Sequence, residues 1–256
     1  MFKDITIGQY YPADSLLHRL DPRTKLAGTF VFLISLFVAD NLWGYLLATV
    51  FLAGVIRLSR VPFSFMVRGL RAVVVLLVIS VSFNLFLTEG APIFKWGFLQ
   101  ITREGVWLSI FLAVRLVFLI LGSSVMTLCT TPNALTDGLE KALGVFAKVG
   151  VPVHEIAMMM SIALRFIPIL IEETDKIMKA QMARGADFET GNFVQRAKNL
   201  VPLLVPLFVS AFRRATDLAL AMEARCYQGG AGRTKMKPLR YAKGDIYAYG
   251  VMGVYM

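Results

Sequence analysis

Charge is almost absent from long stretches of the first half of this chain. Between Lys25 and Arg57 the one charged residue is Asp40, and residues 72–88 contain none. An apolar stretch of about 20 residues is typical of a helix that crosses a membrane, because a helix satisfies its backbone polar groups internally. This pattern therefore restricts the first half of the chain to a set of membrane helices.

The overall composition supports the same class. Of the 256 residues, 57% are apolar and 17% are charged, and the mean hydropathy is +0.64. Soluble domains carry about 25% charged residues. The net charge of +10 is explained by the positive-inside rule and by attraction to anionic lipid, so it does not indicate nucleic-acid binding. We predict an all-α integral membrane protein with about four to five transmembrane helices.

The first two of four spans predicted within residues 1–128 form a hairpin. Residues 26–39 and 42–56 are apolar, and Asp40 and Asn41 separate them. We place these two polar residues at the outer turn. The alternative is one tilted helix of 31 residues with Asp40 buried in the bilayer, where a carboxylate is costly.

The third and fourth spans are predicted at residues 72–88 and 105–128. Basic residues precede the first span and separate the second from the third, whereas the two outer loops hold only Lys95 and Arg103. By the positive-inside rule the N-terminus is then cytoplasmic, and the fourth span returns the chain to the cytoplasm. The predicted basic loop between the second and third spans contains Arg57, Arg60, Arg68 and Arg71.

Residues 129–240 are predicted to form helices on the cytoplasmic side of the membrane. A helix starts at Thr131-Pro132, a second runs from about Val153 to Met182, and a third covers residues 192–226. The last two carry charged residues too often for membrane spans, so we interpret them as interfacial or protein-packed helices. Residues 241–256 are too short to cross a bilayer. They are predicted to be the start of a last transmembrane helix, either truncated or incomplete.

Both long helices of this second half end in an arginine. The first ends in Ala183-Arg184-Gly185 and the second in Ala224-Arg225-Cys226, 41 positions later. A guanidinium is favoured at the negative end of a helix dipole, and its planar fork suits bidentate pairing with a carboxylate of another protein. Two such helix ends predict that the chain binds two similar partner proteins, one at each arginine.

The sequence does not contain the catalytic and cofactor-binding motifs that we compared it with. The Gly-rich stretch 229–234 lacks the lysine of a phosphate-binding loop, and it follows a helix rather than a strand. His154-Glu155 lacks the second histidine of a zinc-hydrolase motif. Cys129 and Cys226 are not spaced as a disulfide framework or a metal site. We predict no enzyme activity, no cofactor and no metal.

Four short segments of the chain carry a family resemblance. They are Leu17-His18-Arg19-Leu20-Asp21-Pro22-Arg23-Thr24-Lys25, Leu164-Arg165-Phe166-Ile167-Pro168, Ala180-Gln181-Met182-Ala183-Arg184-Gly185 and Glu223-Ala224-Arg225-Cys226-Tyr227. Together they make the chain resemble the transmembrane T component of energy-coupling factor (ECF) transporters. Two departures are Cys226, where the family usually has glycine, and the incomplete last span.

The resemblance implies a multi-pass protein of the prokaryotic cytoplasmic membrane with two kinds of partner. Two cytosolic ATP-binding-cassette ATPases each accept one arginine-bearing coupling helix in a groove. A membrane-embedded S component captures a vitamin or a metal ion, and closure of the ATPase pair drives release of that cargo inward. The implied docking residues are Ala183, Arg184, Gly185, Ala224, Arg225 and Cys226.

Two other interpretations stay open. A self-contained channel or secondary transporter needs polar residues or broken helices near the midplane, and only Arg115 and Asn84 qualify. An intramembrane arginine is a functional-site hypothesis by default, although an arginine satisfied by backbone carbonyls or a neighbouring side chain is favoured here. A membrane-embedded lipid-processing enzyme would need a carboxylate cluster for a metal, which the sequence does not offer.

Overall fold

Helices dominate the computed structural model, which describes residues 10–39, 41–88, 92–96, 99–186, 188, 193–229, 236 and 238–256. The α-helices are α1 Leu16–Arg19, α2 Pro22–Val38, α3 Leu42–Ser59, α4 Phe63–Leu87, α5 Arg103–Cys129, α6 Pro132–Leu143, α7 Val153–Ala183, α8 Phe193–Asn199, α9 Val201–Ala224 and α10 Lys243–Tyr255. A 3₁₀ helix covers Gly144–Val149, and the strands are β1 Pro92–Trp96 and β2 Leu99–Thr102.

The described residues fall into two compact units. One unit contains Gly8–Gly138 together with Leu239–Met256, and therefore holds α1–α5 and α10. The other contains Leu139–Pro238, and therefore holds α7, α8 and α9. Helix α6 begins in the first unit and ends in the second. Each unit is described separately below.

The predicted break between the first two apolar segments is confirmed. Helix α2 begins at Pro22, behind the N-cap Asp21, whose carboxylate accepts the Arg23 N–H. It ends at Val38, and α3 begins behind Asn41. The alternative of a single 31-residue helix is therefore wrong. Asp40, predicted at the turn, lies outside the described residues.

The third span differs from its prediction at its start. Helix α3 ends at Ser59, and α4 begins at Phe63, nine residues before the predicted 72. Arg57 therefore lies in α3, and Arg68 and Arg71 lie in α4. Of the four arginines of the predicted basic loop, Arg60 alone lies between the two helices. The chain turns at Arg60, which adopts a left-handed φ of 54°, and Pro62 takes the N-cap position. Proline is tolerated there because it needs no intrahelical N–H, and arginine is a good helix former.

The segment between α4 and α5 contains an antiparallel β-hairpin, which the sequence analysis did not predict. Strand β1 pairs with β2, with Lys95 opposite Gln100. Gly90 and Gly97, predicted loop residues, lie outside the described residues. Thr102 then caps α5, because its Oγ1 accepts the Gly105 N–H at 3.1 Å.

The core of the first unit lies where α2, α3, α5, α10 and the start of α4 meet. Leu36 and Met66 are completely buried there. The ring of Tyr255 stacks on Phe51 with centroids 4.3 Å apart, and its hydroxyl lies 2.7 Å from the Ser35 hydroxyl. Helix α10 is thus an integral part of this helix set rather than a loose tail.

Length and composition alone allow three described helices to cross a membrane, namely α3, α5 and α7. Residues Val73–Leu87 of α4 form a shorter apolar helical segment, and α2 has 17 residues. The chain is therefore a multi-pass membrane protein built from helices. That α7 qualifies differs from our interpretation of it as an interfacial helix.

The second unit follows the predicted helices with one break. Helix α7 ends within one residue of the prediction. The single helix predicted over residues 192–226 is instead divided into α8, Phe193–Asn199, and α9, Val201–Ala224. The break falls at Leu200, shortly before Pro202. Pro202 has no N–H to donate to the carbonyl four residues before it, and its ring collides with that carbonyl. Helix α8 therefore cannot continue through it, and a new helix starts with the proline in its first turn.

Candidate functional site

The C-terminal end of α7 is closed by a Schellman motif centred on Arg184. Arg184 is the C-cap residue, and Gly185 follows it with a left-handed φ of 88°. The Gly185 N–H donates to the Met182 carbonyl at 3.0 Å, and the Ala186 N–H donates to the Gln181 carbonyl at 2.9 Å. These two bonds satisfy carbonyls that the helix leaves free, and they fix the position of the arginine.

The C-terminal end of α9 has the same motif around Arg225. Arg225 is the C-cap residue, and Cys226 follows it with a left-handed φ of 57°. The Cys226 N–H donates to the Glu223 carbonyl at 2.9 Å, and the Tyr227 N–H donates to the Met222 carbonyl at 3.0 Å. The two predicted arginine sites therefore share one backbone geometry, bond for bond.

Cysteine in place of glycine does not change how α9 ends. Cys226 takes the left-handed conformation that glycine takes at position 185. For a residue with a Cβ this conformation costs about 1–2 kcal/mol, whereas glycine adopts it freely. Strain at Cys226 is thus the consequence of this departure, and the helix end itself is preserved.

Both ends present their side chains to the outside of the second unit. Every residue of the two predicted tripeptides is exposed to solvent: Ala183, Arg184, Gly185, Ala224, Arg225 and Cys226. The residue before each arginine is alanine, so the guanidinium is flanked by a small side chain on its helix. An exposed, dipole-stabilised arginine can pair with a carboxylate or enter a groove of another molecule.

Helices α7 and α9 pack antiparallel, which places the two arginines far apart. The Gln181 side chain donates to the Pro202 carbonyl at 3.2 Å, near the end of α7 and the start of α9. Toward the middle of α7, Glu173 bonds Arg214 instead. Extending this register puts Arg225 level with about residue 160. The arginines are then separated by roughly 35 Å along the helix axes, at 1.5 Å per residue.

A polar cluster joins the two helices at their midpoint. Arg214 donates to Glu173 Oε2 through Nη2 at 2.8 Å and through Nε at 3.2 Å. The Ser210 hydroxyl donates to Glu173 Oε1. Glu173 is partly buried, so this charge-assisted set fixes the register between α7 and α9 more firmly than an exposed ion pair does.

The segment Asp21–Lys25, part of the family resemblance, has a structural role that the sequence analysis did not assign. The Asp21 N–H donates to Asp245 Oδ1 at 2.9 Å, and the Ala242 N–H donates to Asp245 Oδ2 at 2.7 Å. Asp245 is 1% exposed. One buried carboxylate therefore caps α10 and holds the start of α2 beside it.

Arg23 and Lys25 extend this connection. Arg23 donates to the Leu239 carbonyl at 3.2 Å, and its guanidinium lies 4.9 Å from the centre of the Tyr241 ring. The Lys25 ammonium donates to the carbonyls of Cys129 at 3.0 Å and His18 at 3.1 Å. The basic side chains at the start of α2 thus connect α1, the end of α5 and the segment that leads into α10.

Arg115, the arginine within α5, is held by its neighbours. Its Nε donates to the Tyr45 hydroxyl at 2.9 Å, and its Nη2 lies 3.5 Å from the Ala39 carbonyl. The Phe37 ring lies 5.6 Å from its guanidinium carbon. The favoured interpretation of Arg115, a side chain satisfied within the helix set, is confirmed.

His154 contacts a neighbouring carboxylate. Its Nδ1 lies 3.0 Å from Glu140 Oε1. Within the described ranges, no group of three or more His, Cys, Asp or Glu side chains is arranged to hold a metal ion.

Comparison with known proteins agrees with this architecture. Residues 13–236 match the model of the cobalt transport protein (CbiQ) family. The chain is 55% identical over 250 residues to the energy-coupling factor transporter transmembrane protein EcfT of Clostridium kluyveri, covering 97% of this chain and 93% of that relative. Its identity to EcfT of Thermosediminibacter oceani is 56%, covering 98% and 95%. For EcfT of Bacillus subtilis it is 51%, covering 96% and 93%.

These relatives are named as membrane components of a transporter, and the match covers both arginine sites and the Asp21–Lys25 segment. The multi-pass helical fold is consistent with that role. The chain therefore belongs to the family of transmembrane T components of energy-coupling factor transporters.

Proposed function

We propose that this chain couples ATP hydrolysis by two cytosolic ATP-binding-cassette subunits to the uptake of a vitamin or metal ion. The cargo is captured by a separate membrane-embedded S component. In this proposal the two ATPases bind the chain at Arg184 and Arg225, and their conformational changes are transmitted to the chain through these two arginines. The N-terminus and both arginine sites then lie on the cytoplasmic side of the prokaryotic cell membrane.

The observation that carries the proposal is that α7 and α9 end in the same backbone geometry, with an exposed arginine at the same position. Arg184 and Arg225 are both C-cap residues, both precede a left-handed residue, and both are exposed. Two identical or homologous partners need two equivalent contact points. A guanidinium at the negative end of a helix is a strong anchor for a carboxylate in a partner's groove.

The antiparallel arrangement of α7 and α9 supports the number of partners. A separation of roughly 35 Å gives each arginine room for its own protein, because two ATPases cannot dock on one point. The Glu173–Arg214 pair joins the helices between the two sites. A displacement of either end is thereby transmitted to the other helix.

The outward side of α9 supports an apolar partner. Val205, Phe208 and Phe212 are 55%, 61% and 71% exposed, and they recur at helical spacing. Large apolar side chains exposed on one face mark a contact with another protein or with lipid. In this proposal that face meets the S component within the membrane.

The test is affinity purification of the complex from cells that express tagged chain, with bound proteins identified by mass spectrometry. Wild type is expected to retain two ATPase subunits and a small membrane protein. The variant Arg184→Glu/Arg225→Glu should lose the ATPases and keep the small membrane protein, because the reversed charge opposes a carboxylate partner.

The matched control is Arg165→Glu/Arg213→Glu. It makes the same change of charge at exposed arginines of the same two helices, away from their ends. This control should retain the ATPases. Retention of ATPases by the Arg184/Arg225 variant would refute the docking assignment, and a wild-type chain that purifies alone and moves solute in liposomes would refute the coupling role.

A further inference from the structure

An apolar cleft of about 630 Å³ lies within the first unit, between α1, α2, α3, α5 and α10. Its volume falls within the range of about 300–1,000 Å³ that is typical of small-ligand sites. Almost all of its lining is apolar; Phe32, Leu52, Val125, Ala248 and Met252 are among the residues that form it. The coupling role proposed above makes no use of this space.

The cleft opens among side chains suited to contact with lipid. Four apolar residues of its lining are at least half exposed: Leu16 at 69%, Leu58 at 50%, Tyr247 at 77% and Val251 at 58%. In a multi-pass membrane protein such residues face hydrocarbon or the bilayer interface. A molecule that enters the cleft therefore enters from the membrane.

The cleft matches one leaflet in depth. The C-terminal parts of α3 and α5 and the N-terminal parts of α2 and α10 line it together, so it starts at one end of the helix set. From Lys25 to Phe32 its α2 wall runs about 10 Å at 1.5 Å per residue. A leaflet's hydrocarbon layer is about 15 Å deep, so an acyl chain inserted at Lys25 reaches most of the way to the midplane.

The charged groups in the lining are basic, and both lie at the entrance end. Arg19 has a side chain that is 74% exposed, and its ion pair with exposed Asp14 is long, at 3.4 Å. Lys25 gives two of its three N–H donors to carbonyl oxygens. The remaining N–H of Lys25 and the Arg19 guanidinium can donate to a phosphate oxygen.

We propose that this cleft binds one anionic phospholipid, with an acyl chain along α2 and α10 and its phosphate at Arg19 and Lys25. A neutral detergent or an apolar helix would contact the apolar walls but would leave the two basic side chains of the lining unused. A bound lipid would fill the space between α10 and α3, and would thereby stabilise the position of the last helix.

The experiment is native mass spectrometry of the full-length chain in detergent, with an equal mixture of phosphatidylglycerol and phosphatidylcholine that carry identical acyl chains. One phosphatidylglycerol is expected per chain, retained about tenfold over phosphatidylcholine. Arg19→Gln should lower that preference about fivefold, because each basic residue near an anionic lipid contributes to its binding. The matched control Arg213→Gln removes an exposed arginine outside the cleft and should change nothing.

A second variant tests the apolar part of the site. Ala248→Trp places a large ring in the cleft and should reduce retention of both lipids, and Val251→Trp serves the same purpose if the first variant does not fold. Equal retention of the two lipids by wild type would overturn the proposal, as would unchanged phosphatidylglycerol binding in a folded tryptophan variant. Displacement of the lipid by inorganic phosphate at low millimolar concentration would also overturn it, because the site would then recognise a free anion. These outcomes do not depend on the ATPases.

Discussion

The ends of α7 and α9 predict opposite effects on local stability for two substitutions, one that replaces a glycine and one that introduces a glycine. Gly185 and Cys226 occupy the same position of the same motif, with φ of 88° and 57°. Gly185→Ala puts a Cβ on a left-handed residue, and Cys226→Gly removes one. A Cβ built on Gly185 meets no described atom within 4 Å. The effect at position 185 is therefore a backbone effect, free of steric clash.

The magnitude follows from two opposing contributions. A left-handed conformation costs a residue with a Cβ about 1–2 kcal/mol, whereas replacing glycine lowers the entropy of the unfolded chain and returns about 0.4–1 kcal/mol. Gly185→Ala should therefore destabilise the end of α7 by about 0.5–1 kcal/mol. Cys226→Gly should stabilise the end of α9 by a similar amount. Either change alters local opening about two- to fivefold.

Hydrogen–deuterium exchange of the two helix ends measures this directly. The reporting amides are those of the left-handed residue and its successor, which donate to Met182 and Gln181 in α7 and to Glu223 and Met222 in α9. Exchange should become faster in Gly185→Ala and slower in Cys226→Gly. Cys226→Ala removes the thiol but keeps the Cβ, so it should exchange like wild type. If Gly185→Ala exchanged no faster, or Cys226→Gly no slower, the strain that we assign to position 226 would not exist.

Two further substitutions test the contacts inside each unit. Glu173→Gln should lower the thermal midpoint of the detergent-solubilised chain by about 2–4 °C. It weakens a partly exposed ion pair with Arg214 that contributes about 1 kcal/mol. The control Glu172→Gln changes an exposed neighbour and should leave the midpoint unchanged. Lys25→Met leaves the carbonyls of His18 and Cys129 without their donor and should lower the free energy of unfolding by about 1–3 kcal/mol. The loss appears as a lower thermal midpoint in the same assay. Lys176→Met is its exposed control, and equal midpoints for the two lysine variants would contradict the role of Lys25.

The features that the sequence predicted well are those with a local cause. Thr131-Pro132 starts α6 at the predicted place, with proline at the first helical position, and the Thr131 Oγ1 accepts the Ala134 N–H at 3.3 Å. Gly185 closes α7 at the predicted place. In each case the residues that decide the boundary lie within four positions of it.

The features that the sequence did not predict depend on contacts between distant residues or on a weak local preference. The bond from Asp21 to Asp245 joins positions 224 residues apart, and neither residue signals the other locally. The left-handed conformation of Cys226 is imposed by the end of the helix against the preference of the residue. At Leu200 the helix breaks shortly before Pro202, where we predicted one continuous helix, because the signal for a break is no stronger locally than the signal for a bend.

The orientation of α7 relative to the bilayer follows from the position of the arginines if both dock on cytosolic ATPases. Its length and composition permit a crossing. However, α7 and α9 are antiparallel, so an α7–α9 pair that crossed the membrane would put Arg184 and Arg225 on opposite sides, and only one of them could reach the cytosol. Four exposed charged residues also follow one stripe of α7: Arg165, Glu172, Lys176 and Lys179. Each charge costs about 2.5–3.5 kcal/mol at the bilayer centre, whereas it costs nothing when the stripe faces water. Simultaneous docking of two ATPases therefore requires the pair to lie along the cytoplasmic surface, with its apolar face toward the membrane.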